Sequence, residues 1–200
     1  MKKKPIERFL KKVLFVLTLI LIAPHMSMAD DATYYYDKGT GFLGAGKWHE
    51  AIATLSTAIA LRPEYATAYN NRGLAYYKQH KYAKAAGDFQ KAIQLNPNDG
   101  LAYNNAAVVF CRQGEYDKAL LYLHNAIALI KKITPAHTDV FNNLGFVYMK
   151  KGMPKASAAA YKYASHIMQN KTGDYSDNYN QIALDQWIDG HPVTAKFYGE

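Results

Sequence analysis

Apolar residues recur along this chain at helical spacing and in matched pairs of segments. Tyr69, Gly73 and Tyr76 fall on one face at i, i+4 and i+7, and Ala85, Phe89 and Ala92 do the same a dozen residues later. Each such pair of stripes predicts two amphipathic helices joined by a short turn. The unit then repeats. Gly39-Thr40-Gly41-Phe42 is followed 34 residues on by Gly73-Leu74-Ala75-Tyr76, after another 34 by Ala107-Val108-Val109-Phe110, and after 38 by Gly145-Phe146-Val147-Tyr148. Downstream of each block the same order returns: Gly46, Trp48 and Ala51; His80, Tyr82 and Ala85; Gly114, Tyr116 and Ala119; Gly152, Pro154 and Ser157. Leu55 and Ala58, Phe89 and Ala92, Leu123 and Ala126, and Tyr161 and Ala164 complete the pattern.

The physical sense of the repeat is close helix packing. Small residues at Gly73 and Ala85 let two backbones approach, and the aromatic side chains of Tyr69, Tyr76 and Tyr82 fill the space between units. Pro63 and Pro97 cannot continue a helix and close the first two units. Gly46, Gly114 and Gly152 serve the turn inside each unit.

The repeat also answers a competing motif. Residues 39–48, GTGFLGAGKW, fit G-x-G-x-x-G and most of G-x-x-x-x-G-K-[ST], two phosphate-cradling loops. Both need a buried strand before the glycines. The preceding stretch is polar at each end and holds no Val/Ile/Leu run, and Trp48 stands where a Ser or Thr would meet magnesium. Gly39 instead takes the helix-contact position and Gly46 the turn. Gly41 and Gly44 are extra glycines within a helix, each costing about 1 kcal/mol against Ala. No nucleotide enzyme is expected.

Residues 66–99, ATAYNNRGLAYYKQHKYAKAAGDFQKAIQLNPND, closely resemble the tetratricopeptide repeat family, a 34-residue helix–turn–helix with an aromatic, Leu-Gly, Tyr, Ala, Phe, Pro pattern. The resemblance covers 32–171 and implies an all-α fold, an α-solenoid of antiparallel helix pairs. Four units are expected at 32–65, 66–99, 100–133 and 138–171. A degenerate fifth or capping unit is expected at 176–200, where Ala183 follows Gly145 by 38 residues and Gly190-His191-Pro192 echoes Gly152-Met153-Pro154. Gln186 departs there from the family's Tyr, and Trp187, Ile188, Phe197 and Tyr198 offer a surface for capping, docking or self-association.

The ends alter the charge picture. A Lys-rich start, an 11-residue apolar run over Val13–Ala23, Pro24 and Ser27-Met28-Ala29 read as a secretory signal at 1–29, too short to span a bilayer. The chain carries +8, but the first 29 residues account for +5 of it. The remaining +3 gives no footprint for nucleic acid. The protein is therefore expected to be exported, to the periplasm or beyond the cell, with no membrane span once the signal is removed. Cys111 is alone, so no internal disulfide forms and the core must hold the fold. Seven dispersed histidines, without H-E-x-x-H, give no metal site. Neither a catalytic nucleophile with its base nor a cofactor is implied.

Binding chemistry is concentrated on the first helix of each unit, which lines the concave face of a solenoid. Three of these helices carry an Asn pair: Asn70-Asn71, Asn104-Asn105 and Asn142-Asn143. Asn costs roughly 0.5 kcal/mol inside a helix relative to Ala, so six need an offset. The resemblance implies one: the second Asn of each pair falls where several family members hold an extended peptide by its backbone, which an amide can do because it donates and accepts. One turn on stand Leu74, Tyr77 and Lys78, then Val108, Cys111 and Arg112, then Phe146, Met149 and Lys150. Lys78, Arg112 and Lys150 make a basic edge suited to a partner with acidic character. The family's carboxylate clamp is poorly matched, because Tyr36, Thr40 and Leu101 stand where clamp members carry Lys or Asn, and Asn105 replaces the last basic residue. The sequence thus points to a protein or peptide partner, with self-association, or a membrane-tethered scaffold if the signal is uncleaved, as the alternatives.

Overall fold

The structure is a computed structural model and describes residues 28–169. Most of the expected signal sequence and all of the expected fifth unit lie outside the described residues. Within them, eight α-helices and one 3-10 turn form four hairpins, with no strand. These are α1 (Met28–Gly44) with α2 (Trp48–Leu61), α3 (Ala66–Lys78) with α4 (Tyr82–Leu95), α5 (Gly100–Arg112) with α6 (Tyr116–Ala128), and α7 (Thr138–Lys150) with α8 (Pro154–Gln169). None of the described helices is long and apolar enough to cross a membrane.

Each hairpin turns in the same way. The residue at the turn has positive φ: Gly46 (73°), His80 (58°), Gly114 (79°) and Gly152 (70°). The amide one residue later donates back to the helix, Lys47 to Phe42, Lys81 to Tyr76, Glu115 to Phe110 and Met153 to Tyr148, each at 2.9 Å. This closes the end of the first helix and reverses the chain.

Close approach within the hairpins depends on missing side chains. A Cβ on Gly39 would stand 2.7 Å from the Leu55 side chain, one on Gly73 2.8 Å from the Phe89 ring, and one on Gly145 2.9 Å from the Tyr161 ring. Gly41 and Gly44 have no such neighbour. The stretch that resembles a phosphate loop is therefore the end of α1, the turn and the start of α2.

The hairpins stack as a solenoid. The second helix of each hairpin packs on the first helix of the next, and α1, α3, α5 and α7 also touch in succession. Among the described residues α2, α4, α6 and α8 stand farther apart, with no close backbone approach to one another, although Gln90 Nε2 on α4 donates to Tyr122 Oη on α6 at 3.5 Å. The first helices thus form the shorter, inner face of the stack. The connection between the third and fourth hairpins, 129–137, is five residues longer than 62–65 and 96–99, and the repeat interval there is four residues longer. It contains the 3-10 turn Pro135–His137, where the Thr134 amide donates to His137 Nδ1 at 2.9 Å.

Candidate binding groove

The paired asparagines sit on the inner face, but the two members of a pair do different things. Asn105 Nδ2 donates to Asn70 Oδ1 of the preceding hairpin at 3.0 Å, and Asn143 Nδ2 donates to Asn104 Oδ1 at 2.9 Å. Asn70 and Asn104 are buried. Their position changes the expectation drawn from sequence: these two amides lie beneath the groove surface and couple neighbouring units. The second asparagines stay half-buried at the surface. Asn105 and Asn143 each keep one N–H and the carbonyl oxygen outside the ladder.

The ladder ends differently in the first hairpin, where Tyr36 stands in the register of Asn70. Asn71 Nδ2 donates to Tyr36 Oη at 3.3 Å and to Thr40 Oγ1 at 3.1 Å. Both N–H groups of Asn71 are then used internally. These are the residues at the clamp positions of the family, and here they satisfy one another. At the other end Asn142 is half-buried and its amide has no partner among the described residues.

The expected basic edge is not uniform. Arg112 Nε donates to Tyr77 Oη of the preceding hairpin at 3.1 Å, which fixes an exposed guanidinium over the groove. That hydrogen bond is also the main reason the Arg112 pKa is raised. Lys150 Nζ lies 5.4 Å from the centroid of the Phe146 ring, a cation–π distance. Lys78 is exposed and carries no such tether.

Between α5 and α7 the groove deepens into a cavity of about 320 Å³ whose lining includes Val108, Cys111, Arg112, Asn142, Asn143 and Phe146. Burial pushes the Cys111 thiol up, while Arg112 and Lys150 pull it the other way. Cys111 is thus a protonated, weakly reactive wall residue at neutral pH.

Sequence reasoning missed the charged clasp behind this face. Arg72 donates to both oxygens of Asp88, at 2.8 Å and 2.7 Å, and its third nitrogen donates to Ser56 Oγ at 3.0 Å. Asp88 is buried, and the Asp88 hydrogen bond raises the Arg72 pKa. One group of side chains thereby joins α2, α3 and α4. A signal was present: the Arg72 register is Ala106 and Leu144 in later units, and the Asp88 register is Tyr122 and Ala160, while the first unit has Lys38 and Thr54 there. Only the second unit puts opposite charges in both slots, which implies a pair.

No curated protein sequence matches the chain. The sequence model of the tetratricopeptide repeat family matches residues 36–100 and again 72–129. Among solved structures, the crystal structure of MamA is similar at 22% identity and a TM-score of 0.64, covering 78% of this chain and 85% of that one. The first TPR of Spaghetti (RPAP3), bound to the HSP90 peptide SRMEEVD, is 22% identical with a TM-score of 0.58, covering 65% of this chain and 99% of its own. The second TPR domain of human RPAP3, in complex with the HSP70 peptide SGPTIEEVD, is 25% identical with a TM-score of 0.56, covering 60% and 98%. The stacked hairpins define a helical-repeat solenoid. More narrowly, the chain belongs to the tetratricopeptide repeat family.

Proposed function

We propose that the protein is a non-catalytic adaptor or assembly factor of the cell envelope that holds an extended segment of a partner protein in its concave groove. The observation that carries this reading is the inner face between α5 and α7. Asn142 lies outside the ladder, and Asn143 keeps its carbonyl oxygen and one N–H outside it, beside an apolar cavity and a tethered arginine. An extended backbone presents alternating donors and acceptors, which amide side chains match. The two RPAP3 domains, solved with bound peptides, lend support by showing that a fold like this one accepts a linear segment. The envelope assignment rests on residues 1–29, and a mature mass beginning at Asp30 is its check.

The ladder decides how the groove should be tested. Removing Asn71, Asn105 or Asn143 also removes contacts between units, so loss of binding would be ambiguous. Asn142→Ala combined with Lys150→Ala leaves whole both the ladder and the Arg112–Tyr77 contact between hairpins. In a crosslinked pull-down from native envelopes, a partner captured by the wild type should be lost with this variant. Equal capture by both sinks the groove reading. A second reading, self-association through the end of the stack, is favoured by the exposed side chains of Met153, Tyr161 and Met168. A mass that rises with concentration, and that falls back on Met168→Glu, would establish it.

A further inference from the structure

The groove is chemically different along its length. In the first two hairpins its polar groups are turned on one another through Asn71, Tyr36 and Thr40. Between the third and fourth hairpins it opens onto an apolar cavity, walled by Val108, Cys111, Phe146 and Tyr161. At about 320 Å³ this cavity lies at the small end of the range for ligand pockets, roughly 300–1,000 Å³. It suits one large side chain rather than a folded surface.

Among the described residues the charge lining the cavity has one sign. Arg112 stands in its wall, held by Tyr77 at 3.1 Å, and Lys150 lies against the Phe146 ring at 5.4 Å from its centroid. Both cations act on the sulfur of Cys111. Among the described residues no carboxylate lines the cavity. A cation already tethered has less freedom to lose when it pairs, so it binds an anion with a smaller entropic cost.

Resting on the groove reading above, we infer that the cavity takes a single large apolar side chain from an extended partner segment, with an Asp or Glu two residues away paired to Arg112 and Lys150. The spacing follows from extended chain geometry. Residues i and i+2 point to the same side, about 7 Å apart, so an apolar anchor and an acid can face the groove together. The residue between them points outward and is free to vary. The partner is thus a linear segment carrying apolar-x-acidic, internal to a chain as readily as terminal.

The test is selection of displayed random 12-residue peptides, with Gly-Ser flanks at both ends, against the purified full chain. Enriched sequences are then made as capped synthetic peptides and measured by fluorescence anisotropy. The expected result is enrichment of apolar-x-acidic. Binding should weaken by ~10-fold or more with Arg112→Glu, as for a central interface residue. Val108→Asp, which places a charge in the cavity, and Val108→Phe, which fills it, should each abolish binding while helicity is kept. Lys81→Glu, at an exposed lysine in the turn of the second hairpin and outside the cavity lining, should leave binding unchanged. Peptides that lack the apolar-x-acidic pattern yet lose binding with Asn142→Ala would overturn this inference and leave the groove reading standing. If no enriched peptide responds to any groove substitution, both fall.

Discussion

At the scale of single residues, what decides the effect of a change is whether a slot is already filled. Gly41 and Gly73 both lie in first helices of hairpins. Gly41 is exposed and an added Cβ meets nothing, so Gly41→Ala should stabilise the protein by about 1 kcal/mol through helix propensity alone. At Gly73 the added Cβ would stand 2.8 Å from the Phe89 ring, so Gly73→Ala should destabilise by about 1–3 kcal/mol. Paired urea titrations of the two variants check the opposite signs. This contrast was legible beforehand, because only Gly73 belongs to the repeating pattern and Gly41 does not. The asparagines were legible in part. Their recurrence marked the inner face, yet periodicity could not say that Asn70 and Asn104 point beneath the surface while Asn142 lines the cavity. That depends on how far one hairpin rotates against the next, which only the packed structure fixes.

At the scale of elements, the Arg72–Asp88 clasp and the long connection before α7 each carry a prediction. Asp88 joins α4 to α3, and through Arg72 to Ser56 on α2. Asp88→Ala leaves a largely buried guanidinium without its anion and should cost about 3 kcal/mol. The fourth hairpin carries Leu144 and Ala160 in the corresponding slots, both buried. Arg72→Leu combined with Asp88→Ala copies that solution and should recover most of the loss, measured by thermal unfolding of the two variants side by side. The connection before α7 is a second, pH-dependent joint. Burial holds the His137 imidazole below its ordinary value, and Nδ1 accepts the Thr134 amide, which a ring protonated at that nitrogen cannot do. The unfolded chain therefore binds the proton more tightly than the folded one. Stability contributed by the neutral ring is present above the unfolded value of about 6.5 and is lost as pH falls from there through the lower folded value. His137→Asn, which keeps an acceptor and removes the titration, should lose less stability than the wild type between pH 7 and pH 5 in denaturant midpoints. The extra four residues announced an irregular joint in the sequence, but nothing there told of a histidine closing it.

At the scale of the whole molecule, the stack is unevenly coupled. Most of the buried apolar side chains among the described residues fall into two groups. A small one, Ala51, Leu55, Ile59, Ala68 and Ala75, holds the first hairpin to the start of the second. A large one runs without a break from Ala85 to Ile167 through the other three hairpins. In a repeat array stability is close to a sum of unit terms and nearest-neighbour interfaces, so a weak interface lets one end open while the rest stays folded. The first hairpin has the smaller shared core, the extra glycines Gly41 and Gly44, and a polar attachment through Arg72, Ser56 and the Asn71 cluster. Amide hydrogen exchange should therefore show α1 and α2 opening at lower free energy than α5 to α7. Asp88→Ala should widen that gap and Gly41→Ala should narrow it, with α6 unmoved by either. Uniform protection along the stack, or loss of α6 protection in step with α2 when Asp88 is removed, would mean that the four hairpins unfold as one unit. This uneven coupling bears on the groove as well. Its cavity and tethered cations lie in the strongly coupled part, between α5 and α7, where a rigid inner face can hold a partner without first being ordered by it.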